Sequence, residues 1–147
     1  MNVFQLSYDA RLQDWYKLRN QIKDSDILQK CIEVDNWWQH APLVNHYLHP
    51  HDMDAWPDPW ELLVDNTYCT IARALGMCYT LLLLEVKDIQ LVEARNDVGE
   101  DAVLVLVDNA KYVLNYWPDT VISNNLSDFS ITNQIDFTKI TKKLGNI

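Results

Sequence analysis

The apolar residues of this chain change period once, near Leu84, and that change limits the folds open to it. Upstream they recur at helical spacing; downstream they alternate or run in short apolar blocks. Residues 9–23 carry Leu12, Trp15, Tyr16 and Ile22 at the spacing of an amphipathic helix. A second helix is expected from an N-cap at Ser25 to about Gln39, with Ile27, Leu28, Cys31, Ile32 and Trp38 on its apolar face and Pro42 ending it. Residues 40–60 contain Pro50, Pro57 and Pro59 and read as irregular, closing on a short helix, "PWELLVDN", with Pro59 in its first turn. A long helix then runs from a Thr67 cap to about Leu84, with Ile71, Leu75, Tyr79 and Leu82 in one stripe. Ala72 and Gly76 lie four apart on it, and Gly76 costs about 1 kcal/mol of helix propensity, so a closely packed neighbour is expected there.

After Leu84, "IQLVEAR" (89–95), "AVLVLV" (102–107) and "YVLNYW" (112–117) read as strands separated by "NDVG" and "DNAK". "FSITNQI" (129–135) adds a weaker strand and "TKITKKLG" a short helical turn. Helices followed by an antiparallel sheet predict an α+β domain. No repeat or low-complexity linker divides the chain, and 48% apolar residues suffice for one core. The expectation is a single domain over 1–147: a helical part (1–40), a core (41–120) and a C-terminal strand and tail (121–147).

Composition narrows the function classes. A net charge of −9, with 12 Lys and Arg, argues against a nucleic-acid partner. The longest apolar run, Tyr79–Leu84, is too short to cross a bilayer, and no basic segment leads into an apolar one near Met1, so neither a membrane nor a secretory leader is expected. Three glycines leave no phosphate-cradling loop, and no cofactor is expected. Cys31, Cys69 and Cys78 form no CxxC pair and read as reduced thiols of a cytosolic protein.

One segment carries a more specific pattern. "WPDPWELL" (56–63) precedes a Cys at a helix start, followed by strand, turn, strand, turn, strand. Asn45, Tyr47, Asp54, Trp56, Pro59 and Glu61 come in that order before Cys69. Over residues 27–120 this resembles the transglutaminase-like branch of the papain-like superfamily, its bacterial cysteine-proteinase members most of all. The resemblance implies a papain-like core with Cys69 at the nucleophile position, a His that opens the next long strand just before a run like "AVLVLV", and an Asp on the following strand. Thr67 and Tyr68 stand where the family has Gly and Asp, Asp101 where it has the His, and Asn115 where it has the Asp. Asn is tolerable in the last place, since papain-like enzymes can orient the imidazole with Asn.

Asp for His is a different matter. A thiolate is the nucleophile, and an ordinary Cys has a pKa of about 8.5. A helix N-terminus lowers that value, but the larger effect comes from an adjacent His⁺, which also protonates the leaving group. A carboxylate at Asp101 would disfavour a nearby thiolate and is no general acid at neutral pH. Cys69–Asp101–Asn115 therefore reads as a degenerate triad, with Cys69 a small buried residue at a helix–sheet contact.

All four His, His40, His46, His49 and His51, fall in one loop with Asp52 and Asp54. Their spacing fits no zinc pattern, so a polar surface loop is expected and no metal site; one of them swinging toward Cys69 is the alternative. Trp37, Trp38, Trp56, Trp60 and Trp117 are the candidate interface residues. Trp37 and Trp38 are 100° apart on a helix and cannot both face one narrow stripe, and the others lie in Pro-containing segments. "WPDPWELL…YCTIARALGM…YTLLL" also resembles small uncharacterised proteins of tailed bacteriophages, which implies a virion component of the tail or neck, assembled in the host cytoplasm. The expected function is a non-catalytic structural or assembly protein with protein partners. The alternative is a cysteine hydrolase or acyltransferase using Cys69 with a rearranged base.

Overall fold

The computed structural model describes residues 2–44, 48–49, 52–117, 120–123 and 129–145. Helix α1 (Tyr8–Ile22) starts at Ser7, whose hydroxyl accepts the Ala10 N–H at 3.3 Å. Helix α2 (Ile27–Gln39) is capped by Asp26 and not by Ser25; the carboxylate accepts the Gln29 N–H at 2.8 Å. Helix α3 (Pro59–Asp65) opens on a capping box, Asp58 accepting from the Glu61 N–H at 2.8 Å and Glu61 from the Asp58 N–H at 3.0 Å. Helix α4 (Thr70–Leu83) follows, then β1 (Ile89–Asn96), β2 (Asp101–Val107), β3 (Tyr112–Trp117), β4 (Thr120–Ser123), β5 (Phe129–Gln134) and helix α5 (Phe137–Lys142). The α+β reading holds: helices first, then an antiparallel sheet in the order β4-β3-β2-β1-β5 among the described residues. The short β4, "TVIS", is too brief to show an alternation in the sequence.

Helices α2 and α4 pack against each other and both lie on the sheet, α4 against β1, β2 and β3 and α2 against β3 and β4. Leu91, Val105, Val107 and Leu114 face the helices, whereas Val92, Ala94, Leu104, Leu106 and Val113 build a second cluster on the opposite sheet face. Both faces are covered, so β2 reads as an unbroken apolar run. The close neighbour expected at Gly76 is Trp38: a Cβ on Gly76 would sit 2.6 Å from three of its ring carbons. The buried Thr80 hydroxyl completes this contact. It accepts the indole N–H of Trp15 and of Trp38, each at 2.9 Å, and donates to the Gly76 carbonyl at 2.7 Å.

The tryptophan expectation needs correction. Trp37 and Trp38 are both buried, because α2 has cover on two sides. Trp38 faces α4, while Trp37 packs on Phe4 (ring centroids 4.9 Å apart) and donates its N–H to Asp14 Oδ2 at 2.8 Å. Phe4 sits on a single 3-10 turn, Val3–Gln5, which folds back over α2. Trp56 is buried too, donating to the His49 carbonyl at 2.9 Å. Trp60 remains partly exposed, and the Trp117 side chain lies outside the described residues. On α2, Ile27, Leu28 and Ile32 are more exposed than their spacing suggests, and Val34 and Asp35 are buried instead.

Candidate active-site cleft

The segment leading into α4 is fixed before the helix begins. Tyr68 is buried and donates its hydroxyl to the Leu62 carbonyl at 3.1 Å. Its own carbonyl accepts the Val44 N–H at 2.7 Å, across a parallel bridge between Leu43 and Tyr68. This lays the residues after Ala41 alongside the start of α4. Arg73 reinforces the join, donating to the Ala41 carbonyl and, at 3.1 Å, to Gln39 Oε1.

Cys69 is the N-cap of α4, one residue before the first turn in which the sequence places it. Its backbone is extended and its carbonyl accepts the Arg73 N–H at 3.0 Å. The thiol makes no capping bond, and the residue is 1% exposed. Thr67, the expected cap, lies outside the helix and donates its hydroxyl to the Asp65 carbonyl at 3.2 Å.

Asn115 reaches the same helix start. It adopts a left-handed conformation (φ 64°) in β3, which Asn tolerates better than most residues. Its amide Nδ2 donates to the Val103 carbonyl at 2.8 Å and to the Thr70 carbonyl at 3.3 Å, and its backbone N–H donates to Asp35 Oδ1 at 2.8 Å. Asn115 thus ties β3 to β2, α4 and α2 through backbone groups. Asp35, buried on α2, is part of this arrangement and was missed from the sequence; its position one turn from both Cys31 and Trp38 on the apolar stripe was the available signal.

Asp101 opens β2 opposite Arg95 on β1, and the two side chains form an ion pair at 3.0 Å. The Asp101 side chain is 76% exposed. Two residues inward on the same strand face, Val103 is the residue whose carbonyl meets Asn115. Cys69 and Asn115 therefore share the α4 start, while Asp101 stands at its mouth and is held by Arg95.

A cleft of about 350 Å³ opens here, lined by Leu48, His49, Thr70, Glu93, Asp101 and Val103 among others. His49 and Glu93 are the further residues that the topology contributes. Glu93 accepts the Asn133 Nδ2 at 2.8 Å and occupies the helix-facing register of β1 between Leu91 and Arg95, a charged residue among core positions. His40 lies elsewhere, its Nδ1 2.7 Å from the Asn36 carbonyl oxygen. His46, His51, Asn45 and Tyr47 lie outside the described residues. Among the described residues the Cys69 sulfur makes no hydrogen bond to an imidazole, and no group of three or more His, Cys, Asp or Glu could hold a metal ion. The other two thiols are plainly core: burial, then the charges of Asp35 and Asp108, push Cys31 up to about 12, and burial pushes Cys78 up further. Among the described residues no helix is long and apolar enough to cross a membrane.

No family model matches the chain, and no curated protein matches it. Solved structures do. Legionella pneumophila LapG treated with EGTA superposes with a TM-score of 0.72 at 13% identity, covering 88% of this chain and 74% of that one. LapG without that treatment gives 0.72 at 13% identity, over 88% and 75%. Calcium-bound LapG gives 0.71 at 13% identity, over 86% and 74%. LapG has the transglutaminase-like fold, and the core described above is of that type. At this identity the likeness establishes the fold alone.

Proposed function

We propose that this chain is a non-catalytic transglutaminase-like domain that works through its surfaces as a structural or assembly protein. The observation that carries the reading is the commitment of all three triad positions. Cys69 is packed away at a helix cap, Asn115 serves backbone carbonyls, and Asp101 is paired with Arg95. Val103 on β2, whose carbonyl accepts the Asn115 amide, has an aliphatic side chain with no proton to give. The net charge of −9 fits protein partners better than nucleic acid. A place in a phage virion, in the tail or neck, rests on the sequence resemblance of residues 56–83 alone.

A second reading has one observation in its favour. LapG is a cysteine protease, and His49 lines the same cleft as Thr70, the residue after Cys69. Movement of the loop carrying His49 would supply the rearranged base of a cysteine hydrolase or acyltransferase. One experiment separates the two. The full chain is incubated with an epoxysuccinyl peptide, which alkylates activated thiolates, and mapped by mass spectrometry. No adduct at Cys69 is the expected result. A stoichiometric adduct at Cys69 overturns the non-catalytic reading, and its disappearance in His49→Ala assigns the base.

A further inference from the structure

The chain has four arginines, and three have their guanidinium donors in use. Arg11 donates to the Leu63 and Leu6 carbonyls, Arg73 to the Ala41 carbonyl and Gln39, and Arg95 to Asp101. Arg19 differs. Its Nε is buried without an acceptor, and no ion pair to it occurs among the described residues. Its guanidinium carbon lies 4.2 Å from the Trp15 ring centroid and 5.6 Å from that of Tyr16. Burial lowers its pKa from the ordinary arginine value, a sign of lost hydration. A buried donor left without an acceptor is destabilising, and contact with aromatic faces offsets that only in part.

The surroundings add the second element. Arg19, Tyr16, Leu12 and Trp60 line a surface cleft of about 340 Å³ between α1 and α3. Trp60 stands edge-on to Trp15 at 6.4 Å and is 38% exposed; Tyr16 is 56% exposed. Tryptophan, tyrosine and arginine are the residues on which binding energy concentrates at protein interfaces. The buried Nε is beyond a ligand's reach, so the ligand that fits must bring an anionic acceptor to the terminal guanidinium nitrogens, and an apolar group to cover the two rings. A carboxylate answers the planar guanidinium in two parallel hydrogen bonds.

We propose that the Arg19–Tyr16–Trp60 cleft docks a protein segment that presents a carboxylate side chain beside an apolar one. The inference rests on the assembly reading above and names the chemistry of the partner. Charge complementarity sets the choice: on a chain of net charge −9, an uncompensated cation flanked by exposed aromatic rings selects an acidic, apolar segment locally, against the sign of the molecule as a whole.

The test uses the full ¹⁵N-labelled chain and two blocked peptides, acetyl-Gly-Leu-Glu-Phe-Gly-amide and the same peptide with Gln for Glu. The readout is the indole N–H resonance of Trp60, assigned by its loss in Trp60→Phe. The expected result is a saturable shift with the Glu peptide, weakened by about tenfold or more with the Gln peptide and again in Arg19→Gln. Should Arg19→Gln fail to fold, Tyr16→Ala on the exposed face takes its place, with weaker Glu-peptide binding expected. Equal binding of the two peptides overturns the proposal. So does undiminished binding to the variant, absence of any shift at about 1 mM peptide, or an equal shift with inorganic phosphate, which would mark a generic anion site. Labelling of Cys69 is read independently, so failure here and failure of the non-catalytic reading are distinguishable.

Discussion

Replacing Thr80 by Val keeps the branched shape of the side chain and removes its oxygen. That oxygen accepts two buried indole N–H groups, from Trp15 and Trp38, both at 2.9 Å, and Trp15, Trp38 and Thr80 are all 0% exposed. In Thr80→Val both donors lose their acceptor where water does not reach. Each orphaned donor costs about 1–3 kcal/mol, so the gross loss is about 2–6 kcal/mol. The gain from burying a methyl in place of a hydroxyl offsets part of this, and a net loss of about 2–4 kcal/mol is expected. For a domain whose total stability is about 5–15 kcal/mol, that is a large fraction. Urea unfolding followed by tryptophan fluorescence reads it as a lower midpoint at unchanged slope. Thr80→Ser keeps the oxygen and should lose only about 1 kcal/mol. In a Trp15→Phe background, which removes one donor, Thr80→Val should cost about 1–3 kcal/mol less than in the wild type. A Thr80→Val variant within about 0.5 kcal/mol of the wild type would refute the reasoning, since it would mean that the hydroxyl holds nothing.

Three further outcomes follow from the same structure. Gly76→Ala adds about 1 kcal/mol of helix propensity but drives a Cβ to 2.6 Å from the Trp38 ring, so a net loss of about 1–2 kcal/mol is expected; a thermal midpoint at or above that of the wild type contradicts it. Asp108, Asn109 and Ala110 all have left-handed backbones between β2 and β3, and Ala110 at φ 62° bears that least well. Ala110→Gly should raise stability by about 0.5–1 kcal/mol, measured by urea unfolding, and a loss would show that the methyl matters more than the backbone. Alkaline pH should weaken the fold. Burial raises Cys31 to about 12 and also raises Cys78 and Tyr79, so all three keep their protons longer in the fold than in the unfolded chain. Above about pH 9 the unfolded state binds fewer protons, and the unfolding midpoint should fall between about pH 9 and pH 11; a flat or rising midpoint speaks against these burials.

The α+β order, the hairpin series and the tight contact at Gly76 were legible because each is written locally, in a change of period or a costly glycine. What escaped lies in long-range packing. On α2 alone, with its one narrow stripe, at least one of Trp37 and Trp38 has to reach a second surface; the cover over Trp37 comes from Phe4, more than thirty residues upstream, on a turn that "VFQ" does not announce. Asn115 sits inside a strand pattern, "YVLNYW", that hides its left-handed backbone; the departure is imposed by Asp35, Thr70 and Val103 from three other elements. At the cleft, the order of Cys69, Asp101 and Asn115 was readable, but the inward place of Val103 and the pairing of Asp101 with Arg95 depend on strand register. His49 enters the cleft through a loop anchored by Trp56 and by the bridge at Tyr68, neither of which periodicity can reveal.

The most direct measurement of whether Cys69 is a packed thiol or a nucleophile is its rate of alkylation by iodoacetamide in the native chain, followed by peptide mapping across about pH 5–9. The expected result is a rate below that of free cysteine throughout, in keeping with a side chain that is 1% exposed. A rate above that of free cysteine at pH 7, with an inflection between about pH 4 and 7, would contradict it and make the cleft an active site.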